Sequence, residues 1–268
     1  MRVLYAGQGP CAMVLWPGLG GTAEAFLRLL GQAEAKDCLL VALDPPGHGL
    51  TDPLTLQGGQ DAALVWRAVL EAFDIRRAVL AGHSYGAVAA LSAVAADHGL
   101  RSATAGLLLY DGGYLHHEGT PEERHSACRR QIAEYTLRTW DALLERAQAE
   151  APIWDSAAQA AARAMMMERE GRVCLCVDAR SCADALDLIA AHGPEKLAPV
   201  DVPRAMLLRA GRPEEMEGQR RAGVAALMRK LPSLDVRVLG QASHELLDEA
   251  PEAVADNTWS FLAGIAWQ

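Results

Sequence analysis

The chain has 268 residues, 51% apolar and 22% charged, which fits an ordinary soluble globule with room for one large domain or a core carrying an inserted subdomain. Its formal charge of −9, with Arg and Lys scattered rather than grouped, argues against nucleic acid or an anionic membrane surface as the main partner. The longest low-charge run, residues 78–96, contains His83, Ser84 and two glycines, so it makes a poor membrane span.

Short apolar runs alternate with amphipathic stretches. Val3 to Ala6 and Ala12 to Trp16 predict two strands joined at the turn Gly7-Gln-Gly-Pro10. Thr22 is placed to cap a helix running to about Ala35. Cys38 to Leu43 predicts a buried strand that ends in the loop Asp44-Pro-Pro-Gly-His-Gly49. A helix over Gln60–Phe73 follows, then a strand near Arg77–Ala81, a small-residue helix over Ala87–Ala96 and a strand over Ala105–Tyr110. Such alternation indicates a mostly parallel sheet covered on both faces.

From about Leu115 to Leu197 the pattern turns helical, apart from a weak strand run over Val173–Val177. Thr120-Pro-Glu-Glu123 is a helix start, and Ile132, Tyr135, Trp140, Leu143 and Ala147 fall close to one helical face. Pro152 interrupts it; helices over Ser156–Glu170 and Ser181–Ala191 come next, closed by Gly171 and Gly193. Alternation then resumes with a strand over Arg204–Arg209, a helix over Glu214–Lys230, a strand over Asp235–Leu239 and a last helix over Pro251–Leu262. The expected organisation is a core of residues 1–114 and 198–268, interrupted by a helical lid over residues 115–197.

The six cysteines are irregularly spaced, with no histidine near Cys174-Leu-Cys176 to complete a zinc site. They read as reduced, buried thiols. Residues 1–10 hold no apolar stretch of signal-peptide length, and a cytoplasmic protein is expected.

Gly82-His-Ser-Tyr-Gly86 lies between a predicted buried strand and a small-residue helix. A sharp strand-to-helix turn there would expose the Ser84 hydroxyl, and bulky residues in place of the glycines would clash with the adjoining elements. A nucleophilic serine needs a base, and the base needs a carboxylate to orient it. His244, in Gly240-Gln-Ala-Ser-His244 after the last strand, is the candidate base. His48 and His83 belong to the Asp44 loop and the elbow, and His116, His117, His125 and His192 to the lid. Three carboxylates compete for the third role: Glu214 and Glu215 in the loop after the strand Arg204–Arg209, and Asp111 at the end of the preceding strand. Backbone N–H groups of Tyr85 and of Leu19, in Pro17-Gly-Leu-Gly-Gly21, are the candidate oxyanion donors. That glycine-rich loop lacks the spacing of a Walker or dinucleotide motif.

Four segments in order resemble the α/β-hydrolase superfamily over nearly the whole chain: Pro17–Gly21, Asp44-Pro-Pro-Gly-His-Gly-Leu-Thr-Asp52, Gly82–Gly86 and Gly240–His244. The resemblance implies a sheet of about seven strands lacking the usual first edge strand, and a helical cap over the active site. It makes His48 a structural loop residue. Pro17 stands where the family usually has His, a departure shared with some cofactor-free dioxygenases. Serine at the nucleophile position, where dehalogenases and epoxide hydrolases carry Asp, implies acyl transfer from an ester, thioester or lactone to water. No metal or organic cofactor is implied, and the expected partner is a small-molecule acyl substrate taken up by a monomer or homodimer. Trp140, Trp154 and Met166 are candidates for an apolar substrate pocket, with lid packing as the competing reading. A cofactor-free oxygenase, a C–C bond hydrolase and a non-catalytic ligand-binding protein are the alternatives.

Overall fold

The computed structural model describes residues 1–115 and 119–267; His116 and His117 lie outside them. In chain order the first half comprises β1 (Val3–Ala6), β2 (Cys11–Trp16), α1 (Leu27–Leu30), β3 (Cys38–Leu43), α2 (Gly59–Ala72), β4 (Ala78–His83), α3 (Tyr85–Ala96), α4 (His98–Ala103) and β5 (Thr104–Tyr110). Then come α5 (Pro121–Glu134), α6 (Trp140–Glu150), α7 (Ser156–Ala164), the strands β6 (Met166–Arg169) and β7 (Arg172–Leu175), and α8 (Ala179–Ala191). The chain closes with β8 (Ala205–Ala210), α9 (Glu217–Lys230), β9 (Leu234–Leu239), α10 (Leu246–Glu249) and α11 (Pro251–Ala263).

Seven strands form one sheet in the order β1-β3-β2-β4-β5-β8-β9, parallel except for the edge strand β1. The central strands β2, β3, β4, β5 and β8 are buried on both faces, as a covered parallel sheet requires, while the edge strands β1 and β9 are partly exposed. Val14 and Trp16 of β2 join Leu80, Leu107 and Leu207 under α2 and α3, while Met13 and Leu15 join Val79, Leu108 and Leu208 under α1 and α11. Period-two alternation therefore feeds two apolar layers rather than one apolar and one wet face.

The segment between β5 and β8 has its own apolar cluster of Cys128, Leu143, Met166, Val173, Leu175, Val177 and Cys182. It is not all helical. The expected helix over Ser156–Glu170 stops at Ala164, and residues 166–175 fold back as the antiparallel hairpin β6–β7. Its two turn residues, Glu170 (φ 53°) and Gly171 (φ 69°), both take the left-handed conformation that two-residue hairpins favour. Leu137 bridges to Val173, which separates α5 from α6 where a single helix is expected. The helix expected over Thr22–Ala35 is likewise broken into α1 flanked by 3₁₀ turns.

The cysteine reading is corrected as well. Cys11 and Cys38 are bonded across β2 and β3, and Cys128 and Cys182 across α5 and α8; Cys174 and Cys176 are free. The partners are 27 and 54 residues apart, so strand register and helix packing, not sequence spacing, bring them together. Among the described residues no helix is long and apolar enough to cross a membrane.

Candidate active site

Ser84 sits at the tip between β4 and α3 with φ 52° and ψ −111°, a conformation that L-residues rarely adopt. Its neighbours have to be glycine. A Cβ on Gly82 would lie 2.1 Å from the Gly86 carbonyl carbon, and one on Gly86 would lie 2.1 Å from the Trp16 oxygen. The turn is thus wedged between its own helix and the end of β2, and the Ser84 N–H donates to Tyr110 O at 2.9 Å.

His244 follows β9 in a loop fixed from several sides. The N–H groups of Gly211 and Arg212 donate to Ala242 O, and the Ser243 N–H and hydroxyl both donate to the Glu249 carboxylate. This brings His244 Nε2 to 2.9 Å from Ser84 Oγ, and His244 Nδ1 to 2.7 Å from Asp111 Oδ2. A carboxylate on one side and a hydroxyl on the other select the neutral tautomer with its proton on Nδ1, leaving Nε2 to accept the Ser84 proton.

Asp111 follows β5 directly, with φ 42° and 3% exposure. Its Oδ1 accepts from Tyr114 Oη at 2.6 Å and from the Ala210 N–H at 2.9 Å. Burial alone would raise the Asp111 carboxyl; the hydrogen bonds from His244, Tyr114 and Ala210 outweigh it and hold the carboxyl below its ordinary range. Burial pulls His244 down, and the hydrogen bond and charge of Asp111 more than reverse that, leaving the imidazole above its ordinary value.

Of the three candidate carboxylates, the structure brings Asp111 to His244. Glu214 and Glu215 are exposed in a 3₁₀ turn after β8, and among the described residues neither bonds to the imidazole. Asp111 reaches this place because β5 lies beside β8, and its Oδ1 accepts from the Ala210 N–H at the end of β8. Glu217, just beyond, instead forms a two-pronged pair with Arg209 at 2.8 and 2.9 Å.

Tyr85 supplies the first N–H of α3, which has no intrahelical acceptor. The loop carrying Leu19 runs against the elbow: a Cβ on Gly18 would lie 3.5 Å from Ser84 Cβ. Among the described residues the Leu19 N–H donates to nothing. The Tyr85 ring packs edge-on to Trp16 and stacks on His48, whose Nδ1–H donates to Pro46 O, so His48 is a structural residue.

The pocket candidates fare differently. Met166 is buried inside the cluster of the β5–β8 insert, and Trp140 packs half-buried against it with the Arg163 guanidinium 6.0 Å from its ring. Both are accounted for by packing within the insert. Trp154 is half-buried between α6 and α7. Among the described residues no group of three or more His, Cys, Asp or Glu is arranged to hold a metal ion. Tyr114, three positions after Asp111, carries no sequence signal for its bond to that carboxylate, and His83, assigned from sequence to the elbow, also contacts the histidine loop.

A strained serine, a histidine within hydrogen-bonding reach and a buried carboxylate on a seven-stranded sheet define a Ser-His-Asp constellation on an α/β scaffold. The chain belongs to the alpha/beta hydrolase family, whose pattern it matches over residues 13–257. It is 34% identical over 107 residues to a putative non-heme haloperoxidase of Mycobacterium phage D29, a match spanning 40% of this chain and 38% of that one. It is similar in fold to E-2-(acetamidomethylene)succinate hydrolase, with a TM-score of 0.75 and 19% identity over 98% of this chain and 94% of that one. A marine microorganism esterase gives a TM-score of 0.73 at 13% identity over 97% and 98% of the two chains.

Proposed function

We propose that the protein is a serine hydrolase that cleaves an ester, thioester or lactone of a small to medium apolar substrate. The observation that carries this reading is the continuous relay from Ser84 Oγ through His244 to Asp111, at 2.9 and 2.7 Å. Ser84 Oγ attacks the acyl carbonyl and passes its proton to His244 Nε2, and Asp111 stabilises the imidazolium that forms. The N–H groups of Tyr85 and Leu19 receive the negative charge that develops on the carbonyl oxygen. His244 then protonates the departing oxygen or sulfur, leaving an acyl-Ser84 ester. Water, deprotonated by His244, attacks that ester; the acid is released and Ser84 regains its proton.

Esterase activity in a protein of similar fold supports the substrate class, and the seat of Ser84 supports the serine chemistry. A panel of p-nitrophenyl esters, acyl thioesters and lactones tests the reading. Turnover by the natural chain that is abolished in Ser84→Ala is the expected result; equal turnover by both would refute it. Pro17 and the similarity to a haloperoxidase favour a second reading, oxidative chemistry without a bound cofactor. Ser84-dependent ester turnover without halide or peroxide decides between the two.

A further inference from the structure

We infer that His83, the residue before the nucleophile, is a positioning residue that sets where His244 stands by donating a hydrogen bond to its main-chain carbonyl. The inference rests on the hydrolase reading and extends it to a group that the relay itself does not use. His83 ends β4 with 6% exposure, and its Nε2 lies 2.9 Å from His244 O. A carbonyl only accepts, so the proton of the neutral ring is on Nε2. The rings of His83 and His244 lie 5.0 Å apart. On the other side Gly18 leaves the slot for the ring, since a Cβ there would come within 3.0 Å of His83 Nδ1.

His244 is therefore tied at three points. Asp111 and Ser84 hold the two ring nitrogens, but neither fixes the backbone from which the ring hangs. The bonds at Ala242 and Ser243 hold the loop just before it, and His83 holds the main chain at His244 itself, from the residue next to the nucleophile. Ser84 and His244 are 160 positions apart in the chain, yet the His83 bond spans between them by one side chain and one peptide group. Burial holds the His83 imidazole below its ordinary pKa, so it stays neutral while His244 titrates. The charged or titrating groups it faces are His244, Glu245 and Asp111. A cation at His83 would oppose the imidazolium that the reaction forms; a neutral donor holds the loop without that penalty.

Two variants test the inference. His83→Leu removes the donor, whereas His83→Gln returns an N–H near the place of Nε2. The readouts are the rate constant for fluorophosphonate labelling, which reports only folded sites, and kcat and KM on a p-nitrophenyl ester. Loss of the donor is expected to lower the labelling rate and kcat roughly ten- to hundredfold with KM little changed, and Gln to restore both to within about threefold of the natural chain. A purely structural residue would lower the melting temperature but leave the labelling rate intact, so His83→Leu labelling at the natural rate overturns the inference. If His83→Leu does not fold, nitrogen-15 spectra of the natural protein decide: an Nε2–H tautomer that stays neutral while His244 titrates supports the role, and an Nδ1–H tautomer overturns it. A natural chain that takes no label would bring down the hydrolase reading and this inference together; an active natural chain with an indifferent His83→Leu overturns the inference alone.

Discussion

At Asp111 one carboxylate meets three donors, and that density decides how His244 behaves. Asp111→Asn keeps the shape but weakens the pull on the imidazole, and kcat on an ester is expected to fall on the order of 10³- to 10⁴-fold. Glu214→Gln, at an exposed position with no bond to His244 among the described residues, is expected to leave kcat unchanged. Steady-state kinetics of the two variants side by side checks the assignment. The pH dependence carries a definite sign. Protonated Nε2 cannot take the Ser84 proton, so kcat/KM falls as pH falls through the pKa of His244. Burial lowers that pKa and Asp111 raises it by more, so the acid limb is expected above the ordinary histidine value of about 6.5. In Asp111→Asn the limb should move to lower pH, as a pH–rate profile would register. Ser84 and His244 were legible in the sequence because local rules mark them: a serine between close-packed glycines, and a histidine in the loop after the last strand. Asp111 was legible only as one of three carboxylates. Its selection depends on β5 lying beside β8, a pairing that no local pattern encodes.

The elements that build the site tolerate little change. An alanine at Gly86 would press its methyl group onto the Trp16 backbone, which has no flexible end to yield. Gly86→Ala is therefore expected to lose about 2 kcal/mol or more of unfolding free energy in urea titration. Gly218 in α9 has open space around its added methyl, and Gly218→Ala is expected to gain roughly 0.5–1 kcal/mol in the same assay. The strands of the core were readable from their runs of buried apolar residues. The insert was not, because Met166-Met-Glu-Arg169 suits a helix as readily as a strand. What makes it a strand is tertiary: β7 pairs with it on one side and meets Leu137 on the other.

For the whole molecule, the insert and the histidine loop share one tie. Arg28 of the core forms a two-pronged pair with Asp155 at the start of α7, at 3.0 and 3.0 Å, and reaches Asp248 in α10 at 2.8 Å. Both carboxylates are about half exposed, so each pair contributes about 1 kcal/mol or less. Arg28→Ala should accordingly change global stability little, while hydrogen exchange in α7 and α10 quickens. Equal exchange in both proteins would show that the insert is held by its apolar contacts alone. The disulfides add constraints that sequence spacing did not reveal, one within the sheet and one within the insert. On the proposed mechanism His244, held by Asp111, activates Ser84 as a nucleophile. Intact mass after brief exposure to a fluorophosphonate probe, for the natural chain, Ser84→Ala and His244→Ala, tests it most directly. One adduct on the natural chain, none on Ser84→Ala and a greatly slowed reaction in His244→Ala are expected. A folded natural chain that takes no adduct, or a Ser84→Ala variant that still takes one, would contradict it.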